Sequence, residues 1–215
     1  EGGIVRGVRF RLGDRHLFAE GRETIVSAGT IASPQLLMLS GIGSAARLNE
    51  HGIACVLDNA NVGQNLRDHT CIQLMFRCTK PITINDMANS FVRKALSALQ
   101  YAVLRKGYLA ETGIYVGGFA RSDAHQDRPD VQMAMAAWSV AERTVKGARQ
   151  HPFSGFSFSP EHVAPDARGE ITLRSADPSA PPHIRFNFFQ TDYDINAMLF
   201  GIRLVRRIVE QPAMQ

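Results

Sequence analysis

The chain has 215 residues, of which 45% are hydrophobic and 20% charged, an ordinary globular balance that excludes a disordered segment. Its net charge is only +4, and Lys and Arg are scattered with no basic–aromatic interleaving, which speaks against nucleic-acid binding. No apolar run approaches the roughly 18 residues of a membrane-crossing helix.

In chain order, residues 4–10 (IVRGVRF) and 15–20 (RHLFAE) alternate and predict two strands around a turn at Gly13-Asp14, joined by Thr24–Ser27 into a small meander. The chain breaks at Ala28-Gly29. A helix is then predicted from Ser33 as N-cap and Pro34 as first residue, closing at Ser40-Gly41. A second helix, Ala45–His51, sits between Ser44 and Gly52. Residues 71–78 predict a strand ended by Pro81. Residues 90–106 predict a helix with an apolar stripe at Phe91, Ala95, Leu96, Leu99, Ala102 and Val103, closed by Gly107.

Strands return at 114–120 and 131–138 around a polar loop, and the polar stretch 142–152 predicts a mobile segment. Alternation around Phe156, Ile171 and Ile184 predicts antiparallel sheet with one buried face. A last helix, 192–210, is capped by Asp192 and carries one apolar side. The fold class expected is α+β, with a largely antiparallel or mixed sheet and helices packed on one side. The domains expected are 1–69 and 70–215.

Cys55, Cys71 and Cys78 form no C-x-x-C pair, and Cys71 and Cys78 point to opposite faces of one predicted strand. Free thiols in a reducing compartment, the cytoplasm, are expected. The remaining histidines show no metal-ligand spacing, so no metal site is expected, and they are placed in loops or on polar faces. Because the chain starts at Glu1 without Met, any targeting segment is expected upstream.

The stretch SAGTIASPQLLMLSGIG (27–43) resembles the second signature of the glucose-methanol-choline (GMC) flavin oxidoreductases. The following GIACVLDNANVGQNLRDH ends in an intact G-x-N-L-x-D-H element, Gly63 to His69. Further on, GFSFSPEHVAPDARGEITLRSADPSAPPHIRFNFF and the helix through GIRLVRRI resemble the substrate-domain pattern of that family. The resemblance implies part of an FAD enzyme that oxidises a primary alcohol to an aldehyde by hydride transfer to the flavin. Residues 1–69 would then be the end of the FAD domain, including its last strand and helix, and 70–215 an incomplete substrate domain. The pyrophosphate-binding G-x-G-x-x-G is expected before Glu1 and the catalytic His after Gln215, so no catalytic residue is assigned within the chain.

The resemblance places Ala28, Gly29, Asn65, Asp68 and His69 at the cofactor. Small residues at 28–29 suit close approach of a nucleotide to the backbone. Asp68 and His69 are expected to form a buried hydrogen bond that braces the loop, because no G-x-S-x-G elbow completes a hydrolase triad. Phe76, Met133, Met135, Trp138, Phe156 and Phe158 are candidates for the substrate wall, each weighed against ordinary core packing. Thr70–Arg77 offers no carboxylate for a quaternary ammonium, which favours an uncharged primary alcohol over choline. Gly41 to Ala46 formally fits a dinucleotide fingerprint, but Pro34 predicts a helix ahead of it and Asp58 comes too early. A nicotinamide dehydrogenase built on those glycines, or a non-catalytic binding domain, are the alternative readings.

Overall fold

A computed structural model describes residues 3–214. In chain order its strands and helices are β1 (Gly7–Leu12), β2 (Arg15–Glu20), α1 (Gly29–Leu39), β3 (Ile42–Gly43), α2 (Ala45–Glu50), β4 (Leu57–Asp58), β5 (Gln64–Leu66), β6 (Thr70–Cys71), β7 (Leu74–Arg77), α3 (Ile84–Ala88), α4 (Phe91–Leu104), β8 (Ile114–Ala120), β9 (Val131–Ala136), β10 (Val140–Thr144), β11 (Gly147–Gln150), β12 (Gly155–His162), β13 (Gly169–Thr172), β14 (His183–Arg185) and α5 (Asp192–Val209). The result is the expected α+β fold with antiparallel sheets. Two compact units emerge: residues up to 67 together with 168–187, and residues 68–167 together with 188 onward. The sequence assigned 168–187 to the second domain. The structure returns this segment to the first unit, because β13 pairs antiparallel with β5 as well as with β14.

In the first unit, β1 and β2 form the predicted hairpin, with Gly7 opposite Glu20 and Leu12 opposite Arg15. Thr24–Ser27 is not a third strand. It has β-branched residues but no sheet partner, and Ile25 stays 80% exposed. Helix α1 starts at Gly29, earlier than Ser33, and holds Pro34 inside it. As the sixth residue of the helix, the proline forfeits the bond that an amide there would donate to the Thr30 carbonyl. Helix α2 ends as predicted before Gly52. Its Ser44 makes no side-chain cap; the Ala45 amide donates instead to Asp58 Oδ1 at 2.9 Å. Met38, Leu48, Leu66, Ile171 and Leu173 form the core, so both chain segments are needed to close it.

In the second unit, four strands run in the order β6-β12-β9-β8, with β7 also paired to β12, all antiparallel. The single predicted strand 71–78 is therefore broken into β6 and β7 by Ile72-Gln73. Helix α5 packs on one face of this sheet, where Val131, Met133 and Phe158 meet Ala197 and Val205. A glycine is required where helix and strand approach closely: a Cβ on Gly201 would lie 2.7 Å from Pro160. The cap of α5 is Thr191, which accepts from the Asp194 amide, rather than Asp192. The stretch expected to be mobile is instead the β10–β11 hairpin, Val140 opposite Gln150.

Helix α4 departs most from expectation. Ser90 caps its start by accepting from the Arg93 amide, and Arg105 ends it in the left-handed region at φ 53°. None of its residues is buried. The predicted apolar stripe does not face this unit's core.

A buried polar network fastens α5 to the sheet. The His162 ring, at 0% exposure, stands 3.0 Å from the Asp130 carbonyl through Nδ1 and 3.1 Å from Asp194 Oδ1 through Nε2. Asp194 also accepts from the amides of Asp166 and Ala167 at 2.7 and 2.9 Å. The Asp130 carboxylate accepts from Ser122 and from the Tyr193 hydroxyl. Burial pushes both carboxyls up, but the donated hydrogen bonds outweigh it, and both lie below the ordinary Asp value.

Asp194→Ala should therefore cost about 3–5 kcal/mol, since it strands the buried His162 ring and the amides of Asp166 and Ala167, and a urea titration would show it as a lowered midpoint. The acid side follows from the sign of the shifts. The contribution of Asp130 and Asp194 is complete above the unfolded Asp pKa of about 3.9 and is lost as the pH falls through their lower folded values. In thermal melts, Asp194→Asn should flatten that acid loss relative to the parent chain.

Candidate functional site

Two places carry the residues singled out from the sequence, one in each unit, and each is described separately. In the first unit, Ala28 and Gly29 lie exposed at the start of α1, whose first turn contains no acidic residue. Gly29 has φ +85°, and a Cβ added to it would meet no atom of the chain within 4 Å. The backbone here is bare, turned toward open space and set at the positive end of a helix dipole. Those are the properties that a phosphate or an adenosine needs in order to approach. Asn65 is exposed and left-handed at φ 61°, within β5 where its pairing to β13 shifts register; just before it, Gly63 has φ +80° and its carbonyl accepts from the Ile171 amide at 2.6 Å. These residues fit a bound FAD.

The formal fingerprint at 41–46 is otherwise engaged. Ile42-Gly43 forms β3, paired parallel to β4, instead of a bare helix–helix connection. A Cβ on Gly41 would lie 2.6 Å from the Ala54 carbonyl, and one on Gly43 3.1 Å from Met38. The glycines serve close packing and leave no open cradle for a phosphate.

Asp68 and His69 are both exposed, and the carboxylate of Asp68 accepts from the backbone amide of His69 at 2.9 Å. The expected buried side-chain bond is thus replaced by a local turn bond, which a carboxylate beside its own following amide makes readily. The buried Asp–His pair of this chain is Asp194–His162, which the sequence reading placed elsewhere.

In the second unit the sheet has two distinct faces. Met133 and Phe158 are buried under α5, and Phe76, Met135 and Phe156 pack against the same cluster, with Phe76 stacked on Phe156 at 5.1 Å. Strand alternation puts their neighbours on the opposite face. There Ala134 stands opposite Ser159, Ala136 opposite Ser157, and Cys71 opposite Glu161. The sequence reading favoured the aromatics of the face under α5, but on β9 and β12 this second face carries small and polar side chains, with Met75 and Phe119 beside them on the flanking strands. Its signal was present in the alternating Ser157, Ser159 and Glu161 of β12.

Trp138 lies just beyond β9. The Arg143 guanidinium stands 5.7 Å from its ring centre and donates to Gln73 at 3.1 Å. Burial raises the Cys71 thiol, and the nearby Glu161 charge raises it further, while Arg143 opposes them. A carboxylate and a guanidinium therefore both act at this end of the face. Among the described residues no group of three or more His, Cys, Asp or Glu is placed to hold a metal ion, and no helix is long and apolar enough to cross a membrane.

Comparison with known proteins agrees with the resemblance. The GMC oxidoreductase profiles match residues 1–71 with their N-terminal part and 165–215 with their C-terminal part. The oxygen-dependent choline dehydrogenase of Brucella ovis is 38% identical over 195 residues, covering 89% of this chain and 34% of that protein. An alcohol dehydrogenase [acceptor] of Pseudomonas putida is 38% identical over 193 residues, with the same two coverages, 89% and 34%. Formate oxidase of Aspergillus oryzae superposes with a TM-score of 0.85 at 26% identity, over 99% of this chain and 41% of that one. Pyridoxine 4-oxidase shares the fold, with a TM-score of 0.78 at 20% identity, over 99% of this chain and 37% of that one. The chain spans about a third of the length of the curated relatives it matches, 34%. With two ordered profile matches, relatives spread along most of its length and the fold shared throughout, the chain belongs to the GMC oxidoreductase family.

Proposed function

We propose that this chain contributes cofactor and substrate contacts to an FAD-dependent enzyme that oxidises a primary alcohol to an aldehyde. The observation that carries this reading is the bare, acid-free start of α1, with open space in front of Gly29. FAD, when bound, accepts the hydride from the alcohol carbon. Ala28 and Gly29 bring backbone amides against the nucleotide half of the cofactor, and Asn65 presents its amide from the irregular pairing of β5. Asp68 and His69 hold the loop beside them by their local bond, and neither is assigned the proton-accepting role.

The substrate wall is the sheet face opposite α5, around Ala134, Ser157 and Ser159, with Trp138 at its edge. Phe76, Met133, Met135, Phe156 and Phe158 support that wall from behind, because α5 covers their side. The relatives named for choline and for alcohols leave the charge of the substrate as the question. Glu161 alone would suit a cation, but Arg143 acts on the same Cys71 thiol and offsets its charge. An uncharged alcohol follows. Free cysteines, Cys55 and Cys71 both exposed, suit a reducing compartment, and the cytoplasm is the proposed location.

Two experiments on the protein that carries this chain test these assignments. Gly29→Val places a branched side chain in the open space and strains a left-handed residue by about 1–2 kcal/mol. The flavin-to-protein absorbance ratio should drop severalfold while the melting temperature moves by only a few degrees; an unchanged flavin content would refute the contact.

For the wall, Ala134→Trp should raise KM for a primary alcohol about tenfold or more at little cost in stability, because it points away from α5. Met133→Ala should do the reverse, destabilising by about 2–5 kcal/mol with KM unchanged in the folded fraction. If Met133→Ala alters KM and Ala134→Trp leaves it untouched, the two faces have been assigned the wrong way round.

A further inference from the structure

Helix α4 is amphipathic, but it is turned inside out. The side that rests on its own unit is polar: Ser97 is its one half-buried residue, Arg93 reaches the Pro81 carbonyl at 3.5 Å, and Gln100 lies against Gly107. The side turned outward is apolar, with Phe91 86%, Val92 65%, Leu99 61% and Val103 69% exposed. Helical spacing puts these residues on one continuous strip. Charge on this segment has one sign only. From Met87 to Ala110 there is no Asp or Glu, while Lys94, Arg105 and Lys106 flank the strip and Arg93 sits behind it.

An apolar face about 20 Å long, bordered only by cations, matches one environment chemically. We propose that α4 is an interfacial helix, which lays its Phe91–Leu99–Val103 strip into the surface of an anionic phospholipid bilayer. At 14 residues it is too short to span the bilayer, so it lies in the plane of the headgroups. Its apolar strip enters the acyl boundary, and the Lys94 and Lys106 stems extend along the apolar zone to leave their ammonium groups among lipid phosphates. A protein partner for the same strip would gain nothing from a wholly cationic border unless it were itself acidic; the lipid phosphates supply that acidity over a continuous surface. The inference stands independently of the substrate reading, since α4 carries none of the residues assigned to the wall.

The test is vesicle flotation of the protein in full, with vesicles of phosphatidylcholine alone and with about one third phosphatidylglycerol. The parent protein should float with the anionic vesicles and lose most of that binding without phosphatidylglycerol or at high salt. Lys94→Glu should weaken partitioning by about tenfold or more, and Leu99→Asp should abolish it, with melting curves unchanged. Four results overturn the proposal. The parent protein does not float with anionic vesicles; both variants float as the parent does; Leu99→Asp collapses the melt, which would show protein covering this face; or light scattering shows Leu99→Asp separating a dimer, which would make a second copy the occupant.

Discussion

The second unit depends on one buried hydrogen-bonded cluster, the carboxylate of Asp194 set between the His162 ring and two backbone amides. Removing these groups from water is costly, and the arrangement survives because every acceptor position is met by a donor. Its effect is positional. Asp194 lies in the first turn of α5, and His162 ends the central strand β12, so the bond fixes where the helix begins on the sheet. Once that point is fixed, Ala197, Gly201 and Val205 follow at helical spacing onto Val131, Pro160 and Phe158. The face under α5 is thereby committed to packing, which leaves the opposite face for the proposed substrate wall.

A second polar cluster does similar work at the other end of the sheet. Asn85 donates to the carbonyls of Ser139 and Phe153 and accepts from the Ser139 amide, tying α3 across the β10–β11 hairpin. Thr83 and Asp86 close a reciprocal cap at the start of the same helix. Asn85 and Thr83 are buried and Asp86 half-buried, and each has a partner, which is how a short helix with little apolar surface keeps its place.

Much of this was legible in the sequence, and the parts that were not share a cause. Alternation identified β1, β2, β8 and β12 as strands, yet it misjudged their burial: β1 and β2 stay largely exposed, and β12 is buried on both faces. The stop at Gly52 read correctly because it acts locally. Thr24–Ser27 misread as a strand because β-branched propensity says nothing about whether a partner strand exists. Phe76, Met133 and Phe158 stood out as large and apolar, yet which face of a sheet meets a helix is decided by tertiary contact. The same limit hid His162: a lone histidine between Glu161 and Val163 gives no sign that Asp194, 32 residues away, will meet it. For α4 the period was read correctly, but its outward direction was not legible, since periodicity fixes a stripe and not what lies opposite it.

The pairing of β5 with β13 has a consequence for how the chain comes together. The core of the first unit is completed by Ile171 and Leu173, which follow Leu66 only after the whole intervening segment of the second unit. During synthesis, α1 and α2 therefore wait with Met38 and Leu48 uncovered until residues near 187 have left the ribosome. The intervening segment also waits for α5, whose Ala197 and Val205 close its own cluster. Neither unit can finish early: the first core waits for residues 168–187 and the second for the helix that follows them. Loop-closure entropy makes such long-range pairing slow, and the uncovered helices are the surface most in need of chaperone protection in the interval.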